Sequence, residues 1–343
     1  MSNPSPSALP PLIGQAPAFR SMLEHVSRVA PLERPLLVIG ERGTGKELVA
    51  ARLHYLSRRW DRPFVKVNCA ALPETLLDSE LFGHEAGAFT GAVGRRTGRI
   101  EQADGGTLFL DEIATASPAV QEKLLRAVEY GEIERVGGRT RTVDVRVIGA
   151  TNADLPALAA AGRFRADLLD RLAFDVITLP PLRARPEDIP VLAEHFALAM
   201  VRELGRPLFP GFTPAALDAL LAHPWPGNVR ELRNAVERSV AAADPDGPVA
   251  AVILDPFAVP HRPAAPDGAA AAAPPVPADP PPAPDGGADV PFLDRVRAFE
   301  AGLLKEALAR HRFNQRRTAG ALGLGYHQLR GYLRKHGLTG GEE

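Results

Sequence analysis

Cysteine is nearly missing from this chain: Cys69 is the one thiol in 343 residues. That excludes a disulfide framework and any cysteine-rich zinc site. Long apolar runs are lacking too, and none reaches the ~18 residues that a membrane span requires. The opening MSNPSPSALPPLIG has neither the basic start nor the apolar stretch of a signal peptide, so a cytosolic protein is expected. Charge of one sign is lacking as well. Forty Lys and Arg stand against 41 Asp and Glu, which excludes a uniformly basic nucleic-acid coat and leaves room for a local patch. What is present, 45% apolar and 24% charged residues, is the balance of a soluble globular protein, long enough to predict two domains or more.

Proline divides the chain. Eleven of the 34 prolines fall between Asp255 and Gly287, in a stretch too poor in apolar surface to offset its ordering entropy. Before this linker, short apolar runs alternate with helical stretches: PLLVIG (35–40), FVKVNC (64–69), TLFLDE (107–112), VRVIGATN (145–152) and FDVITLP (174–180). Runs of that kind predict a parallel sheet covered by helices on both faces. From Glu187 to Val240 the pattern turns wholly helical. After the linker, from Pro291 to Gly340, ten Lys or Arg face three acids. The expected division is a disordered N-terminus (1–10), an α/β unit (11–181), a helical subdomain (182–254), a linker (255–290) and a basic C-terminal domain (291–343).

The first apolar run leads into Gly40-Glu41-Arg42-Gly43-Thr44-Gly45-Lys46-Glu47, a G-x-x-x-x-G-K motif between a strand and a helix. Glycines there let backbone N–H groups turn toward an anion, the helix N-terminus adds partial positive charge, and Lys46 reaches the β- and γ-phosphates. Glu47 stands where a Ser or Thr usually supplies a Mg²⁺ ligand, so the metal must lean on carboxylates elsewhere. GGTLFLDE supplies them: Asp111 to hold Mg²⁺ through water and Glu112 to polarise the attacking water. Asn152 ends a neighbouring strand within reach of the γ-phosphate. Arg165 and Arg171, in FRADLLDRL, suit arginine fingers beside a phosphate site in an oligomer.

LFGHEAGAFTGA (81–92), together with GERGTGKE, GGTLFLDE, ATNADL, FRADLLDRL, PPLRARPEDI and WPGNVREL, resembles the central AAA+ domain of bacterial enhancer-binding proteins, the ATPases that activate sigma-54 RNA polymerase. The resemblance covers residues 10–245. It implies an α/β AAA+ P-loop ATPase, a parallel sheet with a helical lid, using ATP and Mg²⁺ in a ring, commonly a hexamer. By position, Lys46, Asp111 and Glu112 become the cradle lysine, metal carboxylate and catalytic carboxylate. Asn68 matches a switch that hydrogen-bonds the catalytic glutamate, Asn152 the first sensor, Arg230 the second sensor on the lid, and Arg165 and Arg171 residues acting in trans. Gly87, Ala88, Phe89, Thr90, Gly91 and Ala92 match the loop that contacts sigma-54. The segment 129–140 resembles a second loop that moves with it.

Three finer features resemble the phage shock branch of that family: Arg42, the HYLSRRW segment (54–60) and LGYHQLRGYLRKHGL (324–338). That branch lacks a sensory domain in cis, and this chain likewise begins almost at once with the ATPase. Control by an inhibitory phage shock partner protein follows, with Trp60 as the exposed anchor, whereas Trp225 is expected in the core.

The tail reads as a helix-turn-helix: NQRRTAGAL, the turn Gly323-Leu324-Gly325, then YHQLRGYLRKH. It resembles the Fis-type all-α domains of the same family and implies upstream enhancer DNA as partner. Tyr326, His327, Gln328 and Arg330 are expected to read base edges, and Arg316, Arg317, Arg334 and Lys335 to meet phosphates. Ala319, Leu322, Leu324, Leu329 and Leu333 are expected in the core. The preceding helix resembles a dimerising element. An AAA+ chaperone acting outside transcription is the main alternative; a DNA binder with a vestigial ATPase is a second. His84 lacks a further ligand at metal spacing, and Cys69 is expected to be buried.

Overall fold

The computed structural model describes residues 11–88, 94–258, 292–311 and 314–338. The segment 1–10 expected to be disordered, the Phe89–Ala92 part of GAFTGA, and most of the linker lie outside the described residues. The chain forms two compact units, Met1–Pro260 and His261–Glu343.

All five apolar runs become strands of one parallel sheet. In chain order the first unit holds α1 (Pro17–Val29), β1 (Leu36–Ile39), α2 (Lys46–Tyr55), β2 (Phe64–Asn68), α3 (Glu74–Phe82), β3 (Gly83–His84), β4 (Arg96–Thr97), α4 (Arg99–Gln102), β5 (Thr107–Asp111), α5 (Pro118–Tyr130), β6 (Glu132–Glu134), β7 (Thr140–Thr142), β8 (Arg146–Thr151), α6 (Leu155–Ala160), α7 (Ala166–Leu172) and β9 (Val176–Thr178). The sheet order is β2-β5-β8-β1-β9. Neighbouring strand residues face opposite sides. In β5, Phe109 packs with Phe19, Val26, Val49 and Leu53 from α1 and α2, while Leu108 and Leu110 pack with Leu77, Leu81, Val120 and Leu168 from the helices of the other face. Burial on both sides is why the central strands β1, β5 and β8 are nearly uninterrupted apolar runs, while the edge strands β2 and β9 keep exposed positions. Each fully buried apolar side chain contributes about 1.5–3 kcal/mol.

β3 with β4 and β6 with β7 form two small antiparallel pairs outside the main sheet. They are too short to carry a readable alternation in sequence.

The lid follows as α8 (Asp188–Glu203), α9 (Pro214–Ala222) and α10 (Asn228–Ala242). Trp225 is at its centre, 0% exposed, with the indole Nε1 donating to the Leu220 carbonyl at 2.8 Å. The second unit is α11 (Phe292–Arg310), α12 (Gln315–Ala321) and α13 (Tyr326–Lys335). Asn314 caps α12, its Oδ1 accepting from the Arg317 N–H at 3.1 Å. Leu304 and Leu308 of α11 pack with Ala319, Leu329 and Leu333. Leu322 corrects an expectation. It is 36% exposed, because α12 ends one residue before it and the chain turns away. Among the described residues no helix is long and apolar enough to cross a membrane.

Candidate functional site

The strand order brings the tips of β5, β8 and β1 side by side, and with them Asp111, Asn152 and Gly40. Beyond β1 the chain turns through Gly43 (φ +80°) and Gly45 (φ +101°), left-handed conformations that favour glycine. Gly45 then caps the start of α2. A cavity of about 540 Å³ opens there, lined by Arg42, Gly43, Thr44, Gly45, Lys46, Glu47, Asp111, Glu112 and, from the lid, Arg230 and Arg233. Leu12, Ile13, Leu192, Phe196 and Val229 add an apolar side. The cavity thus pairs a cationic, N–H-rich end with an apolar end, the two requirements of a nucleotide. Lys46 is buried, its Nζ donating to the carbonyls of Gly40 (2.9 Å) and Glu41 (3.3 Å).

Asp111 and Glu112 supply the carboxylate oxygens that a hard cation takes, beside a phosphate cradle. Among the described residues no cluster of three His, Cys, Asp or Glu could cage a metal alone. One or two carboxylates plus phosphate oxygens is the arrangement Mg²⁺ uses, so the residues fit that ion. Glu112 adopts φ +52°, unusual for a non-glycine residue, and its N–H donates to the Asp111 Oδ1 at 3.0 Å. Asn68 is in register with Asp111 on β2, and its Oδ1 accepts from the Ala70 N–H at 2.9 Å. Cys69 follows it, buried, its thiol pushed up to about 12 by burial and by the neighbouring charges of Asp111 and Glu112.

Two residues of the cradle motif face elsewhere. Glu41 does not line the cavity. Both its oxygens meet Arg183 (2.6 and 2.8 Å), and the Asn228 amide donates to it at 3.1 Å. Those hydrogen bonds hold its carboxyl down at about 2. Glu47 does border the cavity, yet its carboxylate accepts from Lys66 Nζ at 2.8 Å. Arg183 and Asn228 were missed in the sequence. The one available signal was their place in PPLRARPEDI and WPGNVREL.

Arg165 and Arg171 stand away from the cavity. Arg165 caps α7 and pairs with Asp167 (2.7 Å), and Arg171, inside α7, pairs with Glu129.

The stem of GAFTGA is tied to the second loop. The Glu85 N–H donates to the Val136 carbonyl (3.1 Å), and the Val136 N–H to the Gly83 carbonyl (3.0 Å). Arg135, 3% exposed, joins Glu85 (2.7 Å) and both oxygens of Glu101 (2.6 Å each). The Arg135 hydrogen bonds hold the carboxyls of both glutamates below their ordinary range. Gly87 takes φ +80° with open space around it, and the Ala88 N–H donates to the Glu85 carbonyl. His84 is buried against Ser79 Oγ at 2.7 Å, a packing role.

Trp60 is 52% exposed, beside Arg59, which is fixed by Glu33 and Asp144. In the second unit Tyr326, His327, Arg330 and Arg334 are exposed on α13, and Arg316 and Arg317 on α12. The Arg316 guanidinium lies 5.9 Å from the Tyr326 ring centre. Gln328 turns back, its Oε1 accepting from the Gly325 N–H at 2.9 Å, and Lys335 pairs with Glu300 of α11 at 2.9 Å.

Comparison with known proteins agrees with this architecture. Residues 12–178 match the sigma-54 interaction domain, 183–269 the AAA+ ATPase lid domain, and 295–336 the Fis family of bacterial regulatory proteins. The chain is 56% identical over 336 residues to the Psp operon transcriptional activator of Escherichia coli (strain K12), covering 95% of this chain and 97% of that one. It is 54% identical over 239 residues to the Nif-specific regulatory protein of Azotobacter vinelandii, of whose length it spans 45% and which covers 69% of this chain. Among solved structures, NtrX from Brucella abortus in complex with ATP superposes with a TM-score of 0.65 at 33% identity, covering 96% of this chain and 69% of that one. The phosphate cradle, carboxylate pair, lid and basic helical tail therefore occur in a known order, and the chain belongs to the sigma-54-dependent transcriptional activators, AAA+ ATPases that carry a Fis-type DNA-binding domain.

Proposed function

We propose that this activator serves a phage shock operon, binds upstream enhancer DNA through α12 and α13, and hydrolyses Mg·ATP between subunits of a ring to remodel sigma-54 polymerase through GAFTGA. One observation supports it most. Lys46, Asp111, Glu112 and Arg230 border a single cavity, while the stem of GAFTGA, on the same unit, is hydrogen-bonded to the second loop. The near full-length likeness to the Psp operon activator supports the choice of operon.

In this reading Lys46 and the cradle N–H groups of Arg42, Gly43, Thr44 and Gly45 hold the phosphates, and Arg230 meets them from the lid. Asp111 would hold Mg²⁺, which when bound would supply neutralisation of the triphosphate's charge. Glu112 takes the proton of the attacking water, Asn68 restrains Glu112, and Asn152 orients the γ-phosphate end. Arg165 and Arg171 leave their own carboxylates for the nucleotide of the next subunit. Phe89 and Thr90 meet sigma-54, with Gly87, Ala88, Gly91 and Ala92 permitting the tight loop. Tyr326, His327 and Arg330 face bases, Gln328 holds the start of α13 through the Gly325 N–H, and Arg316, Arg317, Arg334 and Lys335 face phosphates. Trp60 anchors an inhibitory partner, an exposed aromatic beside a fixed arginine being a suitable hot spot. The proposed division is 1–10, 11–181, 182–254, 255–290 and 291–343.

Thr90→Ala tests the central claim. Promoter opening is lost while ATP turnover persists; unimpaired opening would remove the loop from the mechanism. If Trp60→Ala stays fully repressed by the inhibitory partner, the anchor is elsewhere.

A further inference from the structure

A carboxylate in a phosphate-binding loop needs a reason. Left bare, Glu41 would repel a triphosphate one residue away from the cavity. Here it is neutralised by the lid. Arg183, in the short turn that leads from the sheet into the lid, grips both Glu41 oxygens at 2.6 and 2.8 Å, the two-pronged geometry that fixes direction as well as charge. Asn228, the first residue of α10, is fully buried and donates to Glu41 Oε2 (3.1 Å) and to the Arg42 carbonyl (3.0 Å), while its own Oδ1 accepts from the Leu182 N–H (2.8 Å). One side chain thus joins the cradle, the connecting turn and the lid helix.

The turn that presents Asn228 is strained. Trp225 and Asn228 both adopt positive φ, +51° and +52°, although neither is glycine. The buried Trp225 indole holds that conformation. Contact between lid and cradle is also close: a Cβ on Gly43 would lie 2.2 Å from the Gly227 carbonyl oxygen. Two residues after Asn228, Arg230 lines the cavity. The first turn of α10 therefore touches the cradle on one side and the nucleotide space on the other.

We infer that Glu41, Arg183 and Asn228 form a polar latch that holds the lid on the cradle and sets how fast nucleotide leaves, with Glu41 a positioning residue and not a nucleotide ligand. This rests on the ATPase reading of the cavity, which Lys46→Ala tests separately by abolishing nucleotide binding. Lys46 meets Glu41 at its backbone carbonyl (3.3 Å), which no latch substitution removes, and Asp111 and Glu112 are bound by none of the three latch side chains, so the chemical step keeps its groups when the latch is cut.

The experiment is a double-mutant cycle on the full chain: Glu41→Gln, Arg183→Met and both together, with displacement of a fluorescent ADP analogue and steady-state ATP turnover measured on each. Each single variant releases the analogue about three- to tenfold faster and raises KM for ATP by a similar factor, with kcat changed less than about twofold. The double variant is no worse than either single one. Faster release in Glu41→Gln alone would make Glu41 a direct ligand and overturn the latch. So would multiplying effects in the double variant, a fall in kcat at unchanged KM, or no effect in any variant.

Discussion

Two buried basic residues set measurable properties of the ATPase unit. His54 is enclosed between Phe64, whose ring stacks 4.8 Å away, and Thr107, whose Oγ1 is 3.0 Å from Nδ1. Burial, helped by the charge of Arg146, lowers its pKa from 6.5 to about 4. The unfolded chain therefore binds one more proton than the folded chain between those values. This contribution to stability is complete above pH 6.5 and is lost as the pH falls through 4, about 3 kcal/mol in all. Urea unfolding at several pH values should show that slope, and His54→Gln should remove it. Arg135 belongs to the loops instead. Arg135→Met leaves the cavity intact but unties Glu85 from Glu101, so ATP turnover should survive while open-complex formation falls at least tenfold. Equal loss of both would place Arg135 in the hydrolytic step.

At the scale of elements, legibility followed from how local the causes are. The central strands β1, β5 and β8 could be read because burial on both faces leaves them almost wholly apolar, and the edge strands β2 and β9 because each keeps a short apolar run, a signal confined to a few consecutive residues. The cradle could be read because glycines must occupy Gly43 and Gly45. The latch could not: Glu41 is 142 residues from Arg183 and 187 from Asn228, and no periodicity links them. Gln328 differs, because its cause is local: it stands three residues after Gly325, the spacing of a capping box, and its Oε1 accepts from the Gly325 N–H, a role that competes with base reading. Bidentate pairing with adenine needs both ends of the amide, and here one is in use. Gln328→Ala should therefore loosen the start of α13 by roughly 0.5–1 kcal/mol and weaken enhancer and non-enhancer DNA alike. Arg330→Ala, an exposed residue without that constraint, should instead relax preference at one base pair, by about 1–3 kcal/mol. Competition binding against single-base variants of the site separates the two outcomes.

For the whole molecule, the arginines decide whether one chain suffices. Arg165 and Arg171 are satisfied by Asp167 and Glu129 and line no part of the cavity formed by their own chain. Among the described residues a single chain thus has a cradle, a carboxylate pair and a lid, while Arg165 and Arg171 border none of its own cavity. If a neighbour supplies the finger, turnover requires contact between subunits and should rise steeply with protein concentration. Mixing gives the sharper test. A Lys46→Ala subunit keeps its arginines but cannot hold nucleotide, and an Arg165→Ala/Arg171→Ala subunit holds nucleotide but offers no finger. Each alone should be inactive. Mixed in equal amounts, about a quarter of the contacts in a closed cyclic assembly place an intact cavity against an intact finger, and turnover should reappear. Fingers acting within one chain would leave the mixture as silent as its parts.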